Sequence, residues 1–180
     1  MLANPSGTSG HKRFKPDYIA DSVCDIDFAL LEARGIKAVL IDLDGTVVSR
    51  GTFEVDKKIT DCLKKQKVDI YIATNRPKSR DLKDLRQSLH ATGVVHPSGI
   101  FMKPMPKYFK RAAADHRLQT SEVAMIGDRY LQDIYGANRA GLTTILVRKL
   151  GDSKGYLDTK LSNFEKRRTE KLAAAYVSAK

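Results

Sequence analysis

Ala38-Val39-Leu40-Ile41-Asp42-Leu43-Asp44-Gly45-Thr46 reads as an apolar strand that ends in two carboxylates one residue apart, followed at once by a glycine and a hydroxyl. Residues two apart on an extended chain project to the same side. Asp42 and Asp44 therefore face one site at the carboxyl end of a strand, the edge where open α/β sheets bind ligands. In that arrangement one carboxylate can attack phosphorus and form an aspartyl-phosphate. The other can pass a proton to the leaving oxygen and later take one from water. Gly45 lets the backbone turn sharply beside the pair.

Three further segments fit the same chemistry. Val68-Asp69-Ile70-Tyr71-Ile72-Ala73 is a second apolar strand, ending in Thr74-Asn75, where a hydroxyl and nearby backbone N–H groups suit the non-transferring phosphoryl oxygens. Lys103, in Met102-Lys103-Pro104-Met105-Pro106, precedes a helical pattern; a fixed ammonium there neutralises phosphate charge and eases its repulsion from Asp42. Val123-Ala124-Met125-Ile126-Gly127-Asp128 is another strand with a terminal acid, and Asp133 follows shortly after. Asp128, with Asp42 and the Leu43 carbonyl, offers the hard oxygen donors that Mg²⁺ prefers. Any one of these acids alone reads as a helix cap or turn residue, and Lys103 alone as a solvated lysine. The order of all four segments carries the argument.

Hydrophobic patterning places strands at 36–42, 68–73, 94–95, 122–127 and 142–147, and helices at 17–23, 56–66, 77–90, 106–117 and 130–139, with Gly141 closing the last helix. Strands alternating with helices predict a Rossmann-like α/β fold, a parallel sheet with helices on both faces. The organisation expected over the 180 residues is a disordered tail at 1–13, one α/β core at 14–150 and a basic C-terminal helical extension at 151–180. The interval from Asp44 to the helix near Asp56 has room for a flap, and that from Asn75 to Lys103 for one helix and a short strand. Neither holds a cap domain, so the site should admit a phosphate carried on something large.

The net charge of +11 falls mainly in the core and the C-terminal segment. A basic surface draws anionic polymers and anionic bilayers alike. Leu157, Leu161, Phe164, Arg168, Leu172, Ala175 and Tyr176 recur at helical spacing, an apolar stripe broken by Arg168, with Lys166, Arg167 and Lys171 alongside. Such a helix lies in a membrane interface or packs on the domain or a second subunit. The chain shows no signal-peptide pattern and no apolar run long enough to span a bilayer. A cytoplasmic protein is expected, with peripheral contact at the inner face of the membrane as its membrane reading. Cys24 and Cys62 lack metal-like spacing and read as free thiols. No aromatic platform for single-stranded nucleic acid is evident, so nucleic acid is not the favoured partner.

The succession Asp-x-Asp-Gly-Thr, strand-end Thr, Lys, then Gly-Asp with a second acid resembles the haloacid dehalogenase (HAD) phosphatases. The resemblance implies Asp42 as nucleophile, Asp44 as general acid/base, Thr74 and Lys103 (with Asn75 beside them) on the phosphate, and Asp128 on Mg²⁺. Asp44 joins the metal side through its backbone or its acid/base role, and Asp133 is either a further acid or a weaker metal partner. Phe14-Lys15-Pro16-Asp17-Tyr18, Leu31-Glu32-Ala33-Arg34-Gly35-Ile36-Lys37, Lys103-Pro104-x-Pro106 and Asn138-Arg139-Ala140-Gly141 are similar to the capless subclass IIIA and, within it, the YqeG family, related to the phosphatidylglycerophosphate phosphatases. Gly45 and Val47 stand where that family usually has Asn and Leu, and Gln132 where it commonly has Thr. The implied reaction is Mg²⁺-dependent removal of the terminal phosphate of phosphatidylglycerophosphate. The other readings are a nucleic-acid-end or protein phosphatase, and a non-catalytic module that binds RNA or protein.

Overall fold

The computed structural model describes residues 12–49, 52–78 and 81–150. Six strands form one fully parallel sheet: β1 Tyr18–Ala20, β2 Ala38–Ile41, β3 Asp69–Ala73, β4 Gly93–Val95, β5 Val123–Gly127 and β6 Thr143–Val147, in the order β1-β6-β5-β2-β3-β4. The helices are α1 Phe28–Ala33, α2 Lys57–Leu63, α3 Lys83–Ser88, α4 Pro106–Asp115 and α5 Gly136–Ala140.

The central strands are apolar on both sides because both faces are covered. Val39, Ile41, Ile70, Ile72, Ala124 and Ile126 face a core shared with Phe28 and Leu31 of α1, Ile59 and Leu63 of α2 and Leu85 of α3. The alternate residues Ala38, Leu40, Tyr71, Ala73, Val123 and Met125 face Tyr108, Phe109 and Ala112 of α4 and Ala137 of α5. Each large aliphatic side chain fully buried in this way stabilises the fold by about 1.5–3 kcal/mol. Gly136 lets α5 approach α4: a Cβ there would lie 2.5 Å from the Pro104 carbonyl oxygen and 2.6 Å from the Phe109 ring. The expected α/β architecture is therefore present, and between β2 and α2 the described residues form only a flap, held by bridges from Val48 to Asp44 and Val55.

From β2 the chain runs outward to β3 and β4, then crosses to β5 and β6 on the other side. The reversal lies between β2 and β5, whose carboxyl ends carry Asp42 and Asp128. Ligands bind in open α/β sheets at such a switch point.

Several elements differ from the sequence expectation. The helix expected at 17–23 is the edge strand β1 followed by a 3-10 turn at Val23–Asp25. The deciding partner is remote: Asp17 accepts hydrogen bonds from the Thr144 N–H at 2.9 Å and the Thr144 hydroxyl at 3.0 Å, and β1 then pairs with β6. Helix α1 went unforeseen; its N-cap, Asp27, accepts the Leu30 N–H at 2.9 Å. The helix expected at 77–90 shortens to α3, where Asp81 accepts the Lys83 N–H at 2.9 Å. The helix expected at 130–139 divides into a π-helical turn, Tyr130–Tyr135, and α5, which closes on Gly141 at φ +90°.

The C-terminal extension with its apolar stripe lies outside the described residues, as do residues 1–11; the described chain opens with a 3-10 turn at Lys12–Phe14. Among the described residues no helix is long and apolar enough to cross a membrane.

Candidate active site

The Asp42 N–H donates to the Ile126 carbonyl at 2.9 Å, one rung beyond the β2–β5 ladder, so its side chain emerges at the switch point. The chain then turns: the N–H groups of Thr46, Val47 and Val48 converge on the Leu43 carbonyl at 3.1–3.2 Å. That carbonyl is committed to the turn, which corrects its expected place on the metal and leaves the backbone of Asp44 as the main-chain candidate. Gly45 is required here twice over. Its φ is +92°, and a Cβ would fall 2.6 Å from an Asp128 carboxylate oxygen.

Lys103 is only 2% exposed. Its ammonium donates to Asp42 Oδ1 at 2.5 Å and to Asp133 Oδ1 at 2.7 Å. Asn75 fixes the loop that carries it: the Lys103 N–H donates to Asn75 Oδ1 at 2.9 Å, and Asn75 Nδ2 donates to the Lys103 carbonyl at 3.0 Å. The Asn75 amide thus holds Lys103 while still lining the cleft. Asp133 is fully buried beneath Gly127, where any side chain would collide with it, and its Oδ2 accepts the Arg129 N–H at 3.1 Å. Thr46 Oγ1 donates to Asp128 Oδ1 at 3.2 Å. Thr74, at the end of β3, accepts the Arg76 N–H at 3.0 Å. Asp42, Asp44, Thr74, Asn75, Lys103 and Arg76 open onto one cleft of about 240 Å³, with Arg129 and Gln132 on its wall.

Asp42, Asp128 and Asp133 each place a carboxylate oxygen within 4.8 Å of the others. Burial pushes the Asp42 carboxyl up to about 6, with Lys103 pulling against it and Asp133 adding to it. Burial, then the charges of Asp42 and Asp133, pushes Asp128 up to about 8. Burial opposes the charge on Lys103, but Asp133 and Asp42 outweigh it and raise its pKa. Three carboxylates around one ammonium leave negative charge uncompensated, and the donors are hard oxygens. This set fits a divalent cation such as Mg²⁺.

The electrostatics predict an inverted pH response. The two acids titrate near 3.8 when unperturbed and near 6 and 8 in the fold. The folded state then holds protons that the unfolded chain has released, so stability falls as pH rises across that interval. Thermal melts in chelator should show a declining Tm from about pH 4 to pH 8, and saturating Mg²⁺ should flatten the decline. A Tm rising with pH in chelator would contradict this account.

The Asp44 carboxylate stands outside that cluster. Arg76 clamps it, with Nε to Oδ2 at 3.0 Å and Nη2 to Oδ1 at 2.6 Å, and Phe53 of the flap lies over the guanidinium with its centroid 4.7 Å away. Sequence reading did not single out Arg76. The available signal was only its nearness to the strand-end Thr74, two residues before it.

The topology, the Asp42–Asp44 spacing at the switch point and the opposed acidic loop suggest a class, and comparison with known proteins points the same way: residues 100–168 match the HAD-hydrolase-like family profile. Along most of its length it is similar to the probable phosphatase YqeG of Bacillus subtilis, 28% identical over 149 residues that span 81% of this chain and 84% of that protein. A shorter stretch is 40% identical to the glyceraldehyde 3-phosphate phosphatase of Methanopyrus kandleri, over 35% of this chain and 28% of that enzyme. Among solved structures, an uncharacterized protein from Listeria monocytogenes serotype 4b shares the fold with a TM-score of 0.53 at 18% identity, covering 67% of this chain and 85% of that one.

Proposed function

We propose that this chain hydrolyses phosphomonoesters through an aspartyl-phosphate on Asp42, with Asp42, Asp128 and Asp133 holding Mg²⁺. The observation that carries the reading is the meeting of Asp42 with Lys103 and the acidic loop at the switch point. An Asp42 oxygen attacks phosphorus in line as the bond from phosphorus to the alcohol oxygen breaks, and Asp44 gives that oxygen its proton. Water then attacks the phosphorus and yields a proton to Asp44, the phosphorus–Asp42 bond breaks, and inorganic phosphate leaves with Asp42 restored. Bound Mg²⁺ supplies positive charge that offsets the repulsion between phosphate and carboxylates. Lys103 and the Thr74 hydroxyl stabilise charge on the transferring group.

The flap leaves the cleft open, which favours a large or membrane-borne substrate. Phe53 (49% exposed), Ile100 (73%) and Met102 (41%) present apolar side chains on loops at this end of the sheet. They favour a lipid phosphate, phosphatidylglycerophosphate first, met at the inner face of a membrane by an otherwise cytoplasmic protein. The test is Mg²⁺-dependent phosphate release from phosphatidylglycerophosphate in mixed vesicles, beside a 5′-phosphorylated oligonucleotide and a phosphopeptide. The lipid should be hydrolysed fastest, with loss in chelator. Faster release from the oligonucleotide or peptide would replace the lipid reading, and no release from any of them would favour a binding module.

A further inference from the structure

Cys24 and Cys62 are free thiols, both half-buried, and the proposed reaction uses neither. They come from different elements. Cys24 sits in the 3-10 turn Val23–Asp25, whose start is fixed by Ser22: Oγ accepts the Cys24 N–H at 3.2 Å and donates to Asp25 Oδ2 at 2.8 Å. That turn packs against α2, and the Cys24 thiol donates to the Lys58 carbonyl at 3.6 Å. Lys58 and Cys62 stand one helical turn apart on the same face of α2, and the Cys62 side chain leans back over the turn that Lys58 opens. The two thiols meet there, hydrogen-bonded to each other. Burial, then that bond, pushes the Cys62 thiol up to about 11. The neighbours Val23, Ile59 and Leu63 are buried in the core, so both backbones are held in place.

We propose that Cys24 and Cys62 form a reversible disulfide that fastens the Val23–Asp25 turn to α2. The oxidant is a low-molecular-weight disulfide of the glutathione class. Cys62 holds its proton tightly and takes the second step. The Cys24 sulfur gives its proton to solvent and attacks one glutathione sulfur; the glutathione S–S bond breaks, and the first glutathione leaves as a thiolate that solvent protonates. The Cys62 sulfur, deprotonated in turn, attacks the Cys24 sulfur; the mixed S–S bond breaks and the second glutathione leaves in the same way. The cysteine pair gives up two electrons and the glutathione disulfide accepts them. The closed loop contains β2, Asp42, Asp44 and the flap, and a cross-link across it restricts the unfolded chain. It also anchors the trailing end of the flap, because Asp56, the N-cap of α2, follows directly on Val55 and its bridge to Val48.

The test equilibrates the full-length protein with oxidised and reduced glutathione, blocks remaining thiols by alkylation, and reads intact mass, peptide maps and thermal melts. Both thiols should be lost together. The mass should fall by two hydrogens, one cross-linked peptide should carry Cys24 and Cys62, and dithiothreitol should restore both thiols. The oxidised protein should melt at least about 5 °C above the reduced one. Cys24→Ser and Cys62→Ser should each leave the other thiol free or glutathionylated, with no rise in Tm in the same buffer. If a serine variant fails to fold, the wild-type comparison, which needs no substitution, still decides. Glutathione retained on either cysteine without the cross-link, a disulfide-linked dimer in its place, or two thiols still free in oxidised glutathione overturns the proposal. So does a cross-link that leaves Tm unchanged or lowers it, because the fold would then not hold the pair ready to join. Phosphate release enters neither readout, so this outcome is separate from that of the phosphatase reading.

Discussion

Asp42→Asn should lower phosphate release by a factor on the order of 10⁴ or more while the protein stays folded. The amide is nearly the same size as the carboxylate but is no nucleophile, so no aspartyl-phosphate forms and the reaction loses its first step. The fold has little to lose. Asp42 is almost completely buried, and burial raises its pKa to about 6, so its ionised form is held against a desolvation cost. Lys103 keeps Asp133 as partner. Metal-free Asp42→Asn should therefore melt at the wild-type temperature or above it, the usual relation between a charged site and the stability it costs. Phosphate release with Mg²⁺ and thermal melts in chelator check the two halves. Substantial turnover in the variant would remove Asp42 from the nucleophile role.

Lys103→Met should be the most damaging single change to the metal-free fold, costing about 3–5 kcal/mol. Methionine fills a similar volume, so the loss is electrostatic. Asp42 and Asp133 lose a cation within 2.7 Å of both, and with Asp128 they form an uncompensated cluster in a buried pocket. Urea unfolding in chelator should show a lower midpoint at an unchanged slope. Added Mg²⁺ should recover part of the difference, because a cation that binds only the folded state stabilises it by mass action. A solvated lysine would change stability by no more than about 0.5 kcal/mol. A result of that size would return Lys103 to the surface role its isolated sequence context suggests.

The placement of the candidate site's residues at one edge of the sheet was legible because its information is local. Asp42 and Asp44 are fixed to one side by the two-residue period of a strand. Thr74 and Asp128 each follow an apolar strand directly, and Lys103 directly precedes a helix. Asp133 was ambiguous because its direction depends on the π-helical turn, whose extra residue brings the carboxylate back under Gly127 and onto Lys103. Arg76 escaped notice because its partners, Asp44 and Phe53, come from the flap, and no periodicity records that packing. β1 was misread as helix for a related reason. A three-residue apolar stretch takes its conformation from β6 and Thr144, far along the chain.

That remote pairing also orders events during synthesis. Asp17 and Thr144 are separated by 127 positions. At about 5–20 residues per second the ribosome needs roughly 6–25 s to deliver the partner of β1 after β1 itself has emerged. Through that interval the segments of β2, β3 and β4 are already outside, and β5 follows them, so the four strands that frame the cleft become available before the sheet can acquire its outer edge. The first strand made waits for the last, and Tyr18, buried in the finished sheet, spends that time without its cover.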